Sequence, residues 1–572
     1  IDTVKSRMII RTIFKYQLFA PLITCPGNFL TSSRRFADYS HGSTVSNERF
    51  KDGPGLSHFI GKQGKIVERE AHPYLNESNL GHGQKVFFDI YGCQMNVNDA
   101  DIVWSILKTS GYIKASSLNE ADIILIVTCS IRDNAEKKIW SKLADYRSLQ
   151  KKRVSVGLRQ SKIGVLGCMA ERLKHKLIEE EKAIDVVAGP DSYRDLPRLL
   201  SLATGGQSAV NVALSLEETY ADIIPVRLNE GSISAFVSVM RGCDNMCSYC
   251  IVPFTRGRER SRPHLSILEE IKYLSDFGVK EVTLLGQNVN SYLDLSDKSN
   301  NFAKVKLTEG FKSIYKTKSG GMKFAELLDR ASQLNPNMRI RFTSPHPKDF
   351  PDEVLHVIAA RPNVCSHIHL PAQSGNSRVL ELMRRGYTRE SYLQLVERIR
   401  NLIPEVTLSS DFICGFCSET EEEFQDTLSL ISLVKYDTAY VFSYSMREKT
   451  HAHRRLVDDV PVPVKQDRLT RLFDTYRQYA SELNKAKVGK IQLVLLEGDS
   501  RRSADDLVGR NDGNTRVVIP KMDIPVSRGS EELVPMQAGM FVAVKVVSST
   551  SQSLVGEPLY VSNISDFAAS QN

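Results

Sequence analysis

Short apolar runs recur along the chain, and each stops at a turn that carries a distinctive residue. Lys85–Ile90 begins such a run and ends at Tyr91-Gly92-Cys93. Asp99–Ser110 follows with helical spacing, closed by Gly111. Ala121–Thr128 reads as a buried strand stopping at Cys129, and Ile163–Leu166 as one stopping at Gly167-Cys168. Ile184–Ala188 is a fourth, ending at Gly189-Pro190-Asp191. Strand, turn and helix repeated in this way predict a doubly wound α/β domain with a parallel sheet over residues 85–205.

A connecting stretch at 205–232 leads to a second alternating series. Strands are predicted at Ala235–Met240, Glu281–Leu285, Arg339–Phe342, His367–Leu370, Thr407–Phe412 and Thr438–Ser443. A helix is predicted at Ser266–Phe277 and a polar insertion at 290–321. The alternation predicts a partial or full (β/α) barrel across 232–485, with its chemistry in the loops after the strands. A polar helix from Val464 to Lys487 precedes short β-rich runs at Ile491–Leu496, Asn514–Ile519 and Met540–Val547, punctuated by Gly509 and Gly513. That texture predicts a small antiparallel β-barrel over 486–565, a shape often used to hold nucleic acid.

The chain has 572 residues, too many for one core, and is 41% hydrophobic and 25% charged, as globular proteins are. A net charge of +8 is mild over this length and permits a nucleic-acid partner without demanding one. Ten cysteines do not make a disulfide scaffold at this length, and no run reaches the roughly 18 apolar residues of a membrane span. No membrane association is expected, and the compartment should be reducing. Residues 1–50 differ from the rest. Lys5, Arg7, Arg11, Lys15, Arg34 and Arg35 face only Asp2 and Asp38, and Arg7, Arg11 and Lys15 recur every fourth residue. A basic, acid-poor amphipathic segment predicts an organelle transit peptide, with a disordered basic tail as the alternative. Residues 51–84 read as a linker.

Cys243, Cys247 and Cys250 form a C-x3-C-x2-C loop after the first barrel strand. Three thiolates can hold three irons of a [4Fe–4S] cluster and leave the fourth open. S-adenosylmethionine (SAM) fits that opening through its amino and carboxylate groups, and one-electron reduction then gives an adenosyl radical. Structural zinc wants four protein ligands, and only His264 is near enough in sequence to fold back as the fourth. Cys93, Cys129 and Cys168 each follow a predicted strand, so they meet at the sheet edge where doubly wound sheets bind ligands. From the residues alone, a second metal site and three buried small side chains are equally good readings. Cys414 and Cys417 form a C-x-x-C at an apolar strand end and read as packing. Gln287, Ser344, Gln373 and Asp411 end predicted strands, and with Tyr249 they are the candidates for a cofactor pocket. Arg256, Arg258, Arg260 and Arg262 suggest a grip on phosphates beside the cysteine loop. Lys449, His451, His453, Arg454 and Arg455 form a second basic run, and Glu419–Glu423 reads as a solvated helix N-terminus.

YGCQMN at 91–96, TCSIR at 128–132, LGCMAERL at 166–173 and SVMRGCDNMCSYCIVPFTRGRERSRP from 238 resemble the radical-SAM methylthiotransferases of the MiaB type. LLGQNVNSY from 284, RFTSPHPKDFP from 341, HLPAQSGNSRVLELMRRGYTRE from 369 and LSSDFICGF from 408 extend the resemblance, which runs from about residue 85 to the C-terminus. It implies an N-terminal methylthiotransferase domain, a radical-SAM barrel and a C-terminal TRAM domain. It implies that Cys243, Cys247 and Cys250 hold the SAM cluster, and that Cys93, Cys129 and Cys168 hold an auxiliary [4Fe–4S] cluster. The implied substrate is N6-isopentenyladenosine just 3′ of a tRNA anticodon, converted to its 2-methylthio derivative. One SAM would methylate a sulfur at the auxiliary cluster, and a second would give the radical that activates C2. The TRAM domain would hold the tRNA anticodon stem-loop, with the base splayed out. Ser418 departs from the family, where Gly is common before Glu-Thr. WSILKTSGY at 104–112, EETYAD at 217–222 and SYSMREKTHAHRRL at 443–456 resemble the animal mitochondrial branch, which implies the mitochondrial matrix, with the cytoplasm as alternative. That branch is named for association with a kinase regulatory subunit, so an adaptor binding such a subunit is a competing reading. Threonylcarbamoyl-adenosine in tRNA and an aspartate of a ribosomal protein are the competing substrates. The residues name neither an electron donor nor a sulfur source.

Overall fold

The computed structural model describes residues 81–130, 133–296, 311–312 and 320–571. The predicted transit segment and most of the predicted linker and insertion lie outside the described residues. Six parallel strands form the first sheet: β1 (Lys85–Ile90), β2 (Ile113–Lys114), β3 (Ile123–Thr128), β4 (Lys162–Gly167), β5 (Val186–Ala188) and β6 (Ala209–Asn211). Their spatial order is β2-β1-β3-β4-β5-β6. All six residues of β3 are buried. Ile123, Leu125 and Val127 enter one core, while Ile124 and Ile126 enter another on the opposite face. Alternate side chains serve opposite faces of a covered sheet, which is why the strand reads as an unbroken apolar run. Chain order reverses between β1 and β3, where such sheets open a ligand crevice. Helix α1 (Gln94–Thr109) leaves from that crevice. It starts earlier than its apolar spacing predicts, because buried Asn96 and Asn98 occupy its first turns.

The second series forms two three-stranded parallel sheets. One contains β7 (Ser234–Ser238), β8 (Glu281–Leu285) and β9 (Arg339–Phe342), and the other β10 (His367–His369), β11 (Thr407–Cys414) and β12 (Thr438–Ser443). A parallel bridge from Ile340 to Val364 joins them, so the six strands run in chain order as a partial (β/α) barrel. Val282, Leu284, Ile340, Phe342, Ile368, Leu408 and Phe412 share one core. Each such side chain contributes about 1.5–3 kcal/mol when buried.

A third body closes on itself: β13 (Ile491–Asp499), β14 (Asp506–Arg510), β15 (Arg516–Pro520), β16 (Phe541–Ser549) and β17 (Ser553–Ser562). Its seams are antiparallel except β15 with β17, which pair in parallel. It docks under the start of β9. Arg339 donates to the carbonyls of Arg510 at 2.9 Å and Leu493 at 3.2 Å. Arg341 donates to those of Asp512 at 2.7 Å and Asn511 at 2.8 Å. The cysteine loop lies after β7, at the opposite ends of the barrel strands. No helix among the described residues is long and apolar enough to cross a membrane.

Candidate active site

Three strand ends bring Cys93, Cys129 and Cys168 together at the β1/β3 crevice. Cys93 caps α1, and Cys168 opens a short helix, Cys168–Leu173. The Asn96 amide in the first turn of α1 donates to the Cys93 sulfur, so the positive end of that helix faces it. Gly92 makes the approach possible. Its φ is +109°, and a Cβ there would stand 2.4 Å from the Cys129 Cβ. The Cys129 thiol donates to Cys93 and pulls its pKa down to about 6, with help from the Arg256 charge. Arg256 also donates from Nε to the Cys168 sulfur at 3.3 Å, while burial pushes that thiol up.

Cys243, Cys247 and Cys250 share one loop. Gly242, at φ +74°, lets the loop pass the carbonyl of Arg258, which a Cβ would meet at 2.0 Å. Burial, then the charges of Cys250 and Cys247, push the Cys243 thiol well up; burial and Cys247 push Cys250 to about 12. Here too a buried arginine reaches a sulfur: Arg385 donates to Cys247 at 3.3 Å. Ser248 fastens the loop on two sides. Its amide donates to the carbonyl of Met383 at 2.9 Å, and its own carbonyl accepts from the amide of Ala452 at 2.7 Å.

Beside this loop, polar groups gather at the strand ends. Arg385 also donates to Tyr387 at 3.0 Å, whose ring lies 5.8 Å from that of His346. The His346 amide donates to Asn288 at 3.0 Å. Gln287 Oε1, His346 Nε2 and both amide atoms of Asn290 are buried without a partner. Of the sequence candidates, Tyr249 joins this group by accepting from Arg385 at 3.4 Å. Ser344 sits at φ +60°, and its carbonyl accepts from Val289 at 3.4 Å. Asp411, on β11, faces His369 on β10 at 3.4 Å and has no described contact with the cysteine loop. The buried amide that Gln373 donates to the Asp411 carbonyl supports that strand end. His346, Asn290 and Arg385 were not singled out by sequence; only their place in motif stretches after strands marks them.

Models for three families match in series. They are the "Uncharacterized protein family UPF0004" at 85–189, the "Radical SAM superfamily" at 237–431 and the "TRAM domain" at 485–559. A mouse protein named mitochondrial tRNA methylthiotransferase CDK5RAP1 is 53% identical over 553 residues, covering 95% of this chain and 92% of its own. A tRNA-2-methylthio-N(6)-dimethylallyladenosine synthase of Chloroherpeton thalassium is 48% identical, over 87% of this chain and 100% of its own. The chain belongs to the radical-SAM tRNA methylthiotransferases. A solved radical S-adenosylmethionine methyltransferase from Kitasatospora setae overlaps with a TM-score of 0.45 at 13% identity, over 63% of this chain and 75% of that one.

The cofactors of this methylthiotransferase are SAM and two [4Fe–4S] clusters, and the donor sets fit them. Each triplet gathers soft sulfur donors and sets a buried arginine on one of them, as a cluster's thiolates require. The unpartnered polar atoms at 287–290 and 346 suit a small zwitterion. No three His, Cys, Asp or Glu side chains among the described residues are spaced to grip a single ion; a cluster instead binds three thiolates through separate irons. His264 is engaged with Asp294 by both its amide and its ring, so it does not return to the loop.

The arginine run after the loop corrects the sequence reading. Arg256, Arg260 and Arg262 do not face solvent. They pair with buried Asp99, Asp191 and Glu270. Arg258 is half-exposed and pairs with Asp244. The second run does lie on the surface: Lys449, His453, Arg454 and Arg455 are exposed. Arg384 contacts His451 at 2.7 Å, and Arg454 lies over the Phe254 ring at 5.5 Å. Glu419 also departs from expectation, being buried against Arg468 at 2.9 Å, while Thr420 and Glu423 cap the helix that follows. Cys414 and Cys417 are buried, as packing requires.

Proposed function

We propose that this enzyme adds a methylthio group to C2 of N6-isopentenyladenosine beside the anticodon of mitochondrial tRNA. Cys243, Cys247 and Cys250 would hold the cluster at which SAM binds, and Cys93, Cys129 and Cys168 the second cluster. When bound, the first cluster with SAM supplies an adenosyl radical and the second carries the sulfur that is transferred. The observation that carries the reading is the pair of thiol triplets, separate in sequence yet bridged by Arg256, which follows one and touches a sulfur of the other. Arg385 and Arg256 orient one thiol of each set. Gln287, Asn290 and His346 offer polar atoms for SAM, while Tyr249 and Ser344 shape the loops around it. Asp411 belongs to the same barrel interior.

Outside the pocket, Arg384, Lys449, Arg454 and Arg455 supply cations for the phosphates of the anticodon stem-loop. They stand on segments that Ser248 ties to the cysteine loop. Mitochondrial location is supported by the names of the animal relatives. The kinase-regulator adaptor and the threonylcarbamoyl-adenosine substrate have no observation that favours them. Anaerobic reconstitution should give about eight irons per chain, four per cluster. Nucleoside mass spectrometry of mitochondrial tRNA from cells lacking the protein should show loss of 2-methylthio-N6-isopentenyladenosine. Undiminished nucleoside would remove the substrate assignment. Import of the chain with and without residues 1–50 into isolated mitochondria tests the location.

A further inference from the structure

A buried charge cluster lies between the two triplets. Asp99 takes Arg241 on Oδ1 at 2.8 Å and Arg256 on Oδ2 at 2.7 Å. All three side chains are almost completely buried. Arg241 directly precedes Gly242-Cys243 and Arg256 follows Cys250, so one carboxylate of the first domain pins both flanks of the radical-SAM loop. Arg256 is held further. Its Nη2 reaches Asn96 at 3.1 Å, and Arg260 donates to its carbonyl at 3.0 Å. The guanidinium fixed in this way keeps Nε on the Cys168 sulfur.

Arg241 also has Glu218 at 3.8 Å, so two arginines face two carboxylates, and the charge nearest the Cys168 sulfur is that of Arg256. Burying these charges is costly, and an apolar seam would join the domains with less penalty. The arrangement is better explained by what the positive charge does to its neighbour. Reduction adds one electron to a cluster, so an N–H donor and a cation beside a ligand sulfur stabilise the reduced form more than the oxidised form. Such outer partners also fix the orientation of the ligands themselves.

We propose that Arg256, locked by Asp99, is a positioning residue for the second cluster: it orients the Cys168 thiolate and raises that cluster's reduction potential. The proposal rests on the reading of Cys93, Cys129 and Cys168 as cluster ligands. The test uses full-length protein with Cys243, Cys247 and Cys250 changed to Ala, which leaves one cluster to observe. Arg256→Met and Arg256→Lys are made in that background, reconstituted anaerobically and titrated with sodium dithionite while EPR follows the reduced cluster. At a fixed potential the Met variant should hold at least a tenfold lower ratio of reduced to oxidised cluster, a downward midpoint shift of about 59 mV for one electron. The Lys variant should fall between Met and parent. Arg256→Met in a Cys93→Ala, Cys129→Ala, Cys168→Ala background should leave the other cluster's potential unchanged. An unshifted midpoint overturns the proposal. So does an equal shift of both clusters, the mark of a general disturbance. If the Met variant does not fold, a downward shift in the Lys variant, smaller than tenfold, decides. A parent protein that takes up no iron through the strand-end cysteines overturns the underlying reading instead, and iron analysis reveals this before any potential is measured.

Discussion

Cys93, Cys129 and Cys168 come from three strand ends spread over seventy-odd residues, whereas Cys243, Cys247 and Cys250 come from one loop. In the first set the parallel sheet does the gathering: β1, β3 and β4 are neighbours in register, and their ends meet at the switch point. In the second set a short antiparallel ladder, Met240–Arg241 against Arg260–Ser261, closes only the base of the loop. The loop is shaped by Gly242 and by the two hydrogen bonds that Ser248 makes to other segments. Convergence that the core enforces should survive loss of the cofactor, while convergence that a loop maintains should depend on it. Both sets nonetheless end with a buried arginine 3.3 Å from one sulfur.

The comparison breaks most visibly at Asp99, where the two regions share one carboxylate. Asp99→Asn leaves buried Arg256 without its counter-charge and Arg241 with only Glu218 at 3.8 Å, and should cost about 3–5 kcal/mol in thermal or denaturant melts. A loss below about 1 kcal/mol would mean the seam is not held there. Next come the two glycines. Gly92→Ala should push aside Cys129, and Gly242→Ala should displace the loop that carries Cys243. Each should lower the iron content from about eight to about four, with opposite clusters surviving in the EPR spectrum. If either variant kept full iron, the close approach would have another outlet.

Hydrogen exchange sharpens the contrast between sheet and loop. In iron-free protein, amides at 243–250 should exchange at least tenfold faster, to order of magnitude, than those at 127–129 and 167–169. Equal rates would erase the distinction. Arg384, Arg454 and Arg455 are exposed on segments tied to the loop, and changed together to Ala they should weaken anticodon stem-loop binding. The slope of log affinity against log salt should fall by about two to three. An unchanged slope would move the RNA grip elsewhere. The smallest effect concerns Asp101 on α1, which accepts the amide of Leu228 at 2.7 Å and which burial raises to about 7. Between about pH 4 and pH 7 the folded chain keeps a proton that the unfolded chain has lost, so this contribution to stability is full below pH 4 and gone above pH 7. Asp101→Asn accepts the same amide and has no proton to lose. It should flatten that dependence and be about 1–2 kcal/mol more stable than the parent at pH 8. Parallel pH curves for the two proteins would refute this.

Much of the scaffold was legible because strands buried on both faces are continuous apolar runs. β1, β8, β9 and β12 match their predicted bounds, and β3, β4 and β11 differ only at their ends. β2 and β6 escaped notice because two or three residues at a sheet edge carry no periodicity. In the C-terminal barrel, β14 and β17 were missed because Asp506, Gly556 and Pro558 interrupt their patterns. The cysteines were legible through spacing and through what precedes them. The arginines after the loop were not. A run of alternating Arg residues looks the same whether it faces water or buried Asp99, Asp191 and Glu270, and those partners lie far away in sequence. The unpartnered groups of Asn290 and His346 were invisible for the same reason: a side chain's lack of a partner is a property of the packed molecule.

The joint under β9 has a consequence for how the C-terminal barrel can change. Arg339 and Arg341 grip it through four main-chain carbonyls, at Leu493, Arg510, Asn511 and Asp512. A carbonyl is present whatever side chain its residue bears. Those four contacts are indifferent to the barrel's surface lettering, while the Phe541 ring under Arg339 and the Asp512 carboxylate on the Ser366 amide are not, so new RNA-facing residues could be grafted onto this module as long as those two are kept.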